Sequence, residues 1–407
     1  MGRRIEELIE GGGVRSVLLL EDGVPVYYPT LYSTMALRRF SASRQRSVLY
    51  SIEVLLDWCL CERIDLEARF ERDEHLSQME VLRLLDFCAW TADTRKRLLM
   101  GVKILPSSYQ QVSRDMAALR IHAIRDYLNF LYRHLARGRD KADITRAFSE
   151  TIKSYKPRIK KHAKNNVVAL SDEQLAAITE KLIPDHPENP WKDKAVQLRN
   201  LLIFNVLLET GMRRGELAGL YVGDIKGAEV SIYRRQNNPL ETRKQAPSVK
   251  TGERTIPIPD SLAQLIDNYV MAHRGSIKAA RKHPYLFVSH RKNLGKPMSL
   301  NAIAEVFKSA KAVLPELKGL TPHKLRHHMN YRISRMIDQR YKDATPFEKA
   351  AADEEARSYL MGWSADSKMQ QLYNRRYNQE EAGRMLVERS NRLNDKEASN
   401  AGDKTTN

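Results

Sequence analysis

The segment LLIFNVLLETGMRRGEL, residues 201–217, joins a long apolar run to a pair of adjacent arginines. The apolar run predicts a buried helix that ends near Gly211, because glycine readily takes the left-handed conformation found at helix C-termini. Arginine is costly to bury, so a core helix that leads directly to Arg213 and Arg214 calls for a partner. An anion beside the end of a core helix would supply one.

The composition favours a nucleic-acid partner. The chain has 407 residues, enough for two or three domains, and 42% of them are hydrophobic. Its formal net charge of +18 points to a polyanion, although charge alone also fits a merely basic protein of the ribosomal type. The sequence has no apolar run of membrane-spanning length and no signal-peptide core, so we expect a cytoplasmic, nucleoid-associated protein.

The three cysteines do not suggest a cross-linked or metal-binding protein. Their odd number and irregular spacing argue against a disulfide framework and against zinc. Cys59 and Cys61 are two residues apart on a predicted helix and therefore point in different directions. We interpret these two and Cys88 as buried structural thiols.

The first half of the chain predicts a small helical domain behind an N-terminal extension. Residues 1–40 contain a hairpin signal at Asp22-Gly23, and residues 41–150 contain three segments with helical periodicity, as in a helical bundle. Residues 151–170 contain six Lys or Arg and no acid, which suits a linker along DNA phosphates; a solvated tether is the alternative. The candidate DNA contacts there are Lys156, Arg158, Lys160, Lys161 and Lys164.

A second domain, residues 171–390, is predicted to be mainly helical with a small antiparallel sheet. Ser171 is a good N-cap, with Gln174 completing a capping box. EVSIYRR and RTIPIP are predicted strands with Lys250 at the turn between them, YLFVS is a further short strand, and a helix is predicted to end at Gly275. Residues 391–407 form a polar tail that we expect to be disordered.

Two Thr-Pro pairs indicate further helix starts in this domain. The helix that follows Thr321 carries His323, Arg326 and His327 on one face close to its positive N-terminus. Together with Arg213 these side chains would form a phosphate clamp, since two guanidinium groups can each hold a phosphate oxygen. An exposed polar face is the alternative. The second pair begins a helix that closes at Gly362, and a last helix is predicted from about residue 367 to 390.

TGMRRGEL, VKTGERTIPIP, TPHKLRHH, the dipeptide GW and a downstream tyrosine resemble, in that order, the tyrosine recombinase (phage integrase) family. The resemblance covers residues 170–385 well. Residues 41–150 resemble more loosely the family's core-binding (SAM-like) DNA-binding domain. The implied fold is therefore a helical core-binding domain followed by an α+β catalytic domain.

The resemblance assigns roles to individual residues. It implies catalytic roles for a set made of Arg213, Lys250, His323, Arg326, Trp363 and Tyr373. Trp363 stands where many relatives have histidine; its indole N–H donates a hydrogen bond but transfers no proton, and a core role is the alternative. Glu216 and His327 would support the site, with Glu216 orienting Arg213 or forming an ordinary salt bridge. Arg214 would contact the DNA backbone or lie at the surface.

Periodicity does not separate two candidate nucleophiles, Tyr373 and Tyr377, because they lie on the same helical face. KMQQLY resembles the pattern before the family's nucleophile and favours Tyr373, although the gap from Trp363 is one residue longer than usual. Tyr359 precedes the Gly-Trp pair and is expected in the core. Residues 338–358 look like an insertion, either on the surface or against a partner subunit.

The resemblance implies site-specific DNA strand cleavage and rejoining through a 3′-phosphotyrosyl intermediate, without ATP, metal or other cofactor. It implies double-stranded recombination sites and a tetramer on DNA as partners, and leaves a directionality factor open. The extra segments favour a mobile-element integrase over a chromosomal resolvase. A catalytically silent DNA-binding regulator is the alternative outside enzymes.

Overall fold

The chain divides into two units, residues 1–164 with 237–239, and residues 165–236 with 240–407. The computed structural model describes residues 2–9, 15–102, 108–138, 140–155, 169–235, 238–247, 249, 251–363, and 382, 385 and 386. Within these ranges, no helix is both long enough and apolar enough to cross a membrane. Both sheets of the described residues are antiparallel and three-stranded, and helices make up most of the rest.

The first unit begins with a sheet in the order β1-β2-β3, formed by β1 (Arg3–Ile9), β2 (Arg15–Glu21) and β3 (Val24–Pro25). The predicted hairpin is present, because β2 and β3 pair around Asp22 and Gly23, whose φ angles are 49° and 91°. β1, which the sequence analysis did not predict, pairs with β2 along its whole length.

Among the described residues of this unit, the helices that follow are α1 (Tyr27–Met35), α2 (Ala42–Glu62), α3 (Leu66–Glu71), α4 (Gln78–Ala89), α5 (Ala92–Leu99), α6 (Arg114–Leu135) and α7 (Lys141–Tyr155). Val17 and Leu19 of β2 lie in the same apolar core as Leu49 and Ile52 of α2. The N-terminal sheet is thus built into the helical core. Cys59 and Cys88 are buried as expected, but Cys61 is exposed, so that part of the cysteine interpretation is wrong.

The second unit is arranged around α9 (Lys194–Thr210), where Leu202, Ile203 and Phe204 are fully buried. The other elements are α8 (Asp172–Ala176), α10 (Arg214–Gly219), β4 (Ile225–Lys226), β5 (Glu229–Ile232), β6 (Arg254–Pro257), α11 (Asp260–Asn268), α12 (Leu300–Val313), α13 (Pro322–Arg340) and α14 (Pro346–Met361). π-helical turns extend α8 over Ala177–Lys181 and α11 over Tyr269–Arg274.

Local signals placed most helix ends of this unit correctly. Gly211 and Gly362, both with φ of 60°, are the C-caps that follow the last residues of α9 and α14. Thr321 and Thr345 cap α13 and α14. Ser171 caps α8, but no reciprocal capping box forms there, because Gln174 Oε1 accepts instead from Lys324 Nζ at 2.8 Å.

One other prediction for this unit is wrong. YLFVS is not a strand of a sheet, and only isolated bridges join Tyr285 to Tyr221 and Val288 to Pro297. Residues 338–358, which look like an insertion, form the end of α13, a turn and most of α14. Most of these residues are exposed or partly exposed, in agreement with the surface alternative, while α14 packs on α13 through a few buried polar side chains. A segment rich in Glu, Asp and Lys suggested exposure, and its few inward side chains could not be identified without the partner helix.

Candidate active site

Arg326 occupies a buried position between the ends of two helices. It lies on the first turns of α13 and is 4% exposed. Its Nη1 donates to the Gly211 carbonyl at 2.8 Å and its Nη2 to the Met361 carbonyl at 3.0 Å. Since Gly211 ends α9 and Met361 ends α14, this one side chain joins segments that are far apart in sequence.

Position 211 favours glycine for two reasons, its backbone conformation and the close approach of Met329. Its φ of 60° is a left-handed conformation that side chains disfavour. A Cβ there would lie 2.9 Å from both Cβ and Cγ of Met329. Close packing of α13 on the end of α9 is what brings Arg326 to the Gly211 carbonyl.

Arg213 follows two residues later and acts as the N-cap of α10. Its backbone N–H donates to Glu216 Oε2 at 2.9 Å, while its Nη1 lies 3.5 Å from Glu216 Oε1. The Arg213 side chain is 34% exposed, whereas that of Glu216 is buried. Glu216 therefore fixes the backbone of Arg213 firmly and its guanidinium only loosely.

Glu216 is the centre of a buried polar cluster. Thr251 Oγ1 donates to its Oε1 at 2.5 Å, and Arg254 Nη2 donates to its Oε2 at 2.8 Å. Burial alone would raise the pKa of Glu216, but the Arg254 charge and these hydrogen bonds outweigh burial and lower that pKa below its ordinary value. Glu216 is therefore a carboxylate at neutral pH, as its contacts require.

The same cluster reaches the end of α14. Arg254 Nε donates to the Leu360 carbonyl at 2.8 Å, and the Gly252 N–H donates to the Gly362 carbonyl at 3.0 Å. A Cβ on Gly362 would lie 2.9 Å from both Arg254 Nη1 and Thr251 Cβ. Glycine is therefore needed where the turn before β6 meets the Gly-Trp pair.

His323 and His327 lie beside the arginines. Their rings are 4.3 Å apart, edge to face. Partial burial and the positive charges of Arg326 and Arg213 lower the pKa of His323 below its ordinary value. Partial burial and the charges of His323 and Arg326 do the same for His327. Both imidazoles are therefore neutral near pH 7, and a neutral imidazole can accept a proton.

Trp363 follows directly after Gly362 and is half-buried. It packs against a small apolar cluster formed by Met329, Ile333, Ile337 and Met361, and its backbone N–H donates to the Ser358 carbonyl at 3.1 Å. It thus shares the junction of α13 and α14 with Arg326, and this packing agrees with part of the core interpretation. Tyr359 is not in the core: it is 57% exposed, and its hydroxyl donates to the Thr255 carbonyl at 3.1 Å.

Several predicted site residues lie outside the described residues. They are Lys250, Tyr373, Tyr377 and the linker residues Lys156, Arg158, Lys160, Lys161 and Lys164. The neighbours of Lys250 are described: Val249 packs against the core of the second unit, and Thr251 is buried against Glu216. Arg214 is half-buried at the first position of α10.

The structure brings together Arg213, Glu216, His323, Arg326 and Trp363 around the junction of α9, α13 and α14. Sequence reasoning missed Arg254 and the function of Thr251, although both stand in the quoted VKTGERTIPIP. Nothing local identifies Arg254 as a partner of Glu216, which precedes it by 38 residues.

The arrangement places positive charge and hydrogen-bond donors around a neutral imidazole, which is what a binding site for an oxyanion or a phosphate requires. Among the described residues, no group of three or more His, Cys, Asp and Glu side chains is placed to hold a metal ion. The cationic side chains at this junction could balance the charge of an anionic ligand.

Comparison with known proteins gives matches to recombinases. The Phage integrase family matches residues 180–380. The chain is 26% identical over 215 residues to tyrosine recombinase XerD of Halalkalibacterium halodurans, and the matched region covers 49% of this chain and 64% of that protein. It is 33% identical over 130 residues to tyrosine recombinase XerC of Herpetosiphon aurantiacus, covering 32% and 37%. The chain thus spans less than two thirds of the length of either relative.

Solved structures of recombinases are also similar. Lambda integrase (residues 75–356) bound to DNA is 12% identical with a TM-score of 0.44, covering 84% of this chain and 91% of that one. XerA recombinase is 16% identical with a TM-score of 0.33, covering 85% and 92%. On the family match and the two curated relatives, this chain belongs, through residues 180–380, to the phage integrase family of tyrosine recombinases.

Proposed function

We propose that this protein is a site-specific DNA recombinase that cleaves and rejoins strands through a 3′-phosphotyrosyl intermediate. The observation that carries the proposal is the contact of Arg326 with the Gly211 carbonyl, 115 residues away, which places a second guanidinium beside Arg213 and His323. Two arginines and a neutral histidine suit a phosphodiester, whose non-bridging oxygens gain charge in the transition state.

Tyr373 is the proposed nucleophile. A free phenol has a pKa of about 10, and nearby guanidinium charge favours its anion. The phenolic oxygen attacks the scissile phosphorus while His323 accepts the phenolic proton. Arg213 and Arg326 hold the non-bridging oxygens, and the Trp363 indole N–H donates to one of them. Glu216 and His327 support this arrangement.

The leaving group is the 5′ oxygen of the broken P–O bond. Lys250 gives it a proton and releases a 5′-hydroxyl. The phosphotyrosyl bond retains the energy of the phosphodiester, so that attack by a second 5′-hydroxyl reseals the strand without ATP.

We further propose that the protein acts in the cytoplasm as an integrase of a mobile element. Recombination of two duplexes needs four active sites, so the proposed working form is a tetramer on double-stranded DNA, with a directionality factor as an additional partner. The net charge of +18 supports extensive phosphate contact, which makes binding salt-dependent. The linker lysines and arginines and Arg214 are the proposed backbone contacts.

Covalent capture tests the activity without knowledge of the DNA site. Nicked duplexes with a randomised central sequence lose a short strand after cleavage, which traps the adduct. SDS-resistant protein–DNA adducts, recovered and sequenced, should define one preferred site. A catalytically silent regulator would shift the mobility of the duplex and leave no adduct, which would overturn the proposal.

The nucleophile is identified on the duplex defined in that way. Tyr373→Phe should abolish the adduct, because it removes the attacking oxygen, whereas Tyr377→Phe should retain it. The adduct is measured by denaturing gel and the modified tyrosine by mass spectrometry. An adduct that persists in the first variant and disappears in the second would assign the role to Tyr377.

A further inference from the structure

The contact between α13 and α14 contains an ion pair with no exposure to solvent. Asp353 and Arg357, one turn apart on α14, are both 0% exposed. Arg357 Nε donates to Asp353 Oδ2 at 2.5 Å, and its Nη2 donates to Oδ1 at 2.9 Å. Apolar side chains of similar size often stabilise a protein as well as a buried ion pair does. Stability alone therefore gives a weak reason for charges at this place.

Arg357 extends from this pair to α13. Its Nη1 donates to Asn330 Oδ1 at 2.9 Å and its Nη2 to Ser334 Oγ at 2.6 Å. Asn330 Nδ2 donates in turn to the carbonyl of Arg326 at 2.9 Å. One side chain thus separates the Arg357 guanidinium from the backbone of Arg326.

A second connection runs along α14 itself. This helix ends at Met361, four residues after Arg357, and the Met361 carbonyl accepts from Arg326 Nη2. A shift of α14 along α13 would move this carbonyl away from the Arg326 guanidinium. The apolar contacts of Met329, Ile333 and Met361 resist such a shift weakly, because dispersion and burial are not directional. The hydrogen bonds of Arg357 have fixed geometry and resist it strongly.

We propose that Asp353 and Arg357 are positioning residues for the phosphate clamp. Asp353 holds the Arg357 guanidinium, Arg357 sets the position of α14 on α13, and this position aims Arg326 at the scissile phosphate. The inference rests on the proposed function, since it requires that Arg326 bind that phosphate. Neither Asp353 nor Arg357 contacts the DNA in this scheme.

The test is single-turnover cleavage of the nicked duplex defined by covalent capture. Arg357→Met should reduce the cleavage rate by roughly 10- to 100-fold, because small misplacements of a binding group cost rates of that order. The Asp353→Ala/Arg357→Met double variant leaves no unpaired buried charge and should keep its thermal midpoint. It should show the same rate loss, which separates positioning from unfolding.

Coupling to Arg326 is the readout that a structural role would not produce. In an Arg326→Ala background, Arg357→Met should reduce the rate no further, because it acts through the group already removed. A methylphosphonate at the scissile position lacks one charged oxygen and needs less cationic stabilisation, so it should diminish the defects of Arg326→Ala and Arg357→Met together. Arg199→Met is the matched control, since Arg199 is a buried arginine of the same unit that donates to Asn200 and to the Val288 carbonyl.

Each outcome has a definite meaning. The inference is supported if the cleavage rate falls in Arg357→Met and in the double variant but not in Arg199→Met. The loss must also be non-additive with that of Arg326→Ala. Cleavage within twofold of wild type in a folded double variant overturns it, as does a rate loss that multiplies with that of Arg326→Ala. Full cleavage by Arg326→Ala itself would instead refute the proposed role of Arg326.

Discussion

Arg213 and Arg326 have the same proposed task but are held in different ways. Arg326 is buried and donates to two backbone carbonyls from different helices. Arg213 is fixed through its backbone N–H, and its partly exposed guanidinium has a 3.5 Å contact with Glu216 among the residues that the structure describes. Arg326 is therefore placed by the fold itself, whereas the described contacts constrain the Arg213 guanidinium less.

Lysine substitutions should break this comparison most clearly. Arg326→Lys replaces the two nitrogens that reach the two carbonyls with a single ammonium and loses the bidentate group. We expect a cleavage rate lower by about 10³-fold and a reduced thermal midpoint. Arg213→Lys should cost about 10²-fold with little change in the midpoint. Single-turnover cleavage and thermal unfolding measure the two effects, and an equal fall in midpoint would contradict the distinction.

Glu216→Gln tests the carboxylate that holds the backbone of Arg213 and pairs with Arg254. It leaves the buried Arg254 guanidinium without its counter-charge and should cost about 3 kcal/mol in the free energy of unfolding. Urea denaturation measures this loss. Glu209→Gln is the control: it removes the more exposed ion pair with Arg332, where about 0–1 kcal/mol is expected. A loss below 1 kcal/mol in Glu216→Gln would show that the cluster is not held by charge.

The sequence was informative where a helix boundary depends on local chemistry. Gly211, Thr321, Thr345 and Gly362 end or begin helices as expected, because caps and left-handed glycines act within one turn. The clustering of Arg213 with His323 and Arg326 was expected from their charges as a phosphate clamp and from the family resemblance, since periodicity alone does not contain contacts between distant segments.

The predictions that failed concern residues whose structural partners are distant in the sequence. β1 needs β2 to be recognised as a strand, and YLFVS lacks a strand of a sheet to pair with. In the sequence, Arg357 cannot be distinguished from the other charged residues of a polar helix. Its contacts with Asn330 and Ser334 of α13 are seen only in the fold. Such contacts arise from tertiary packing, which local propensity does not contain.

Gly211→Ala tests the backbone position that holds Arg326, and its expected effect on stability and cleavage is intermediate. A left-handed alanine with its Cβ 2.9 Å from Met329 should cost about 2 kcal/mol and shift the carbonyl that holds Arg326. Gly219→Ala is the matched control, since nothing lies within 4 Å of a Cβ there. Urea denaturation and cleavage assays on both variants check this, and equal stability of the two would contradict the packing argument.

The smallest expected effect concerns pH. The pKa of His323 lies below its ordinary value because of partial burial and two arginines, so the imidazole stays mostly neutral at pH 6.5. Cleavage that needs neutral His323 should fall by less than about twofold between pH 7.5 and 6.5, and steeply only at lower pH. The relevant inflection is the one that His323→Gln removes. An inflection above pH 7 would mean that the two cations do not act on this ring.

The N-terminal sheet has a practical consequence. Val17, Leu19 and Tyr32 fill the same apolar interior as the helices that follow, so residues 1–40 are no detachable appendage. A shortened chain that begins at Ser41 would leave the sides of α2 and α6 bare and prone to aggregate. Purification tags and fusion partners are therefore better attached ahead of β1 than substituted for it.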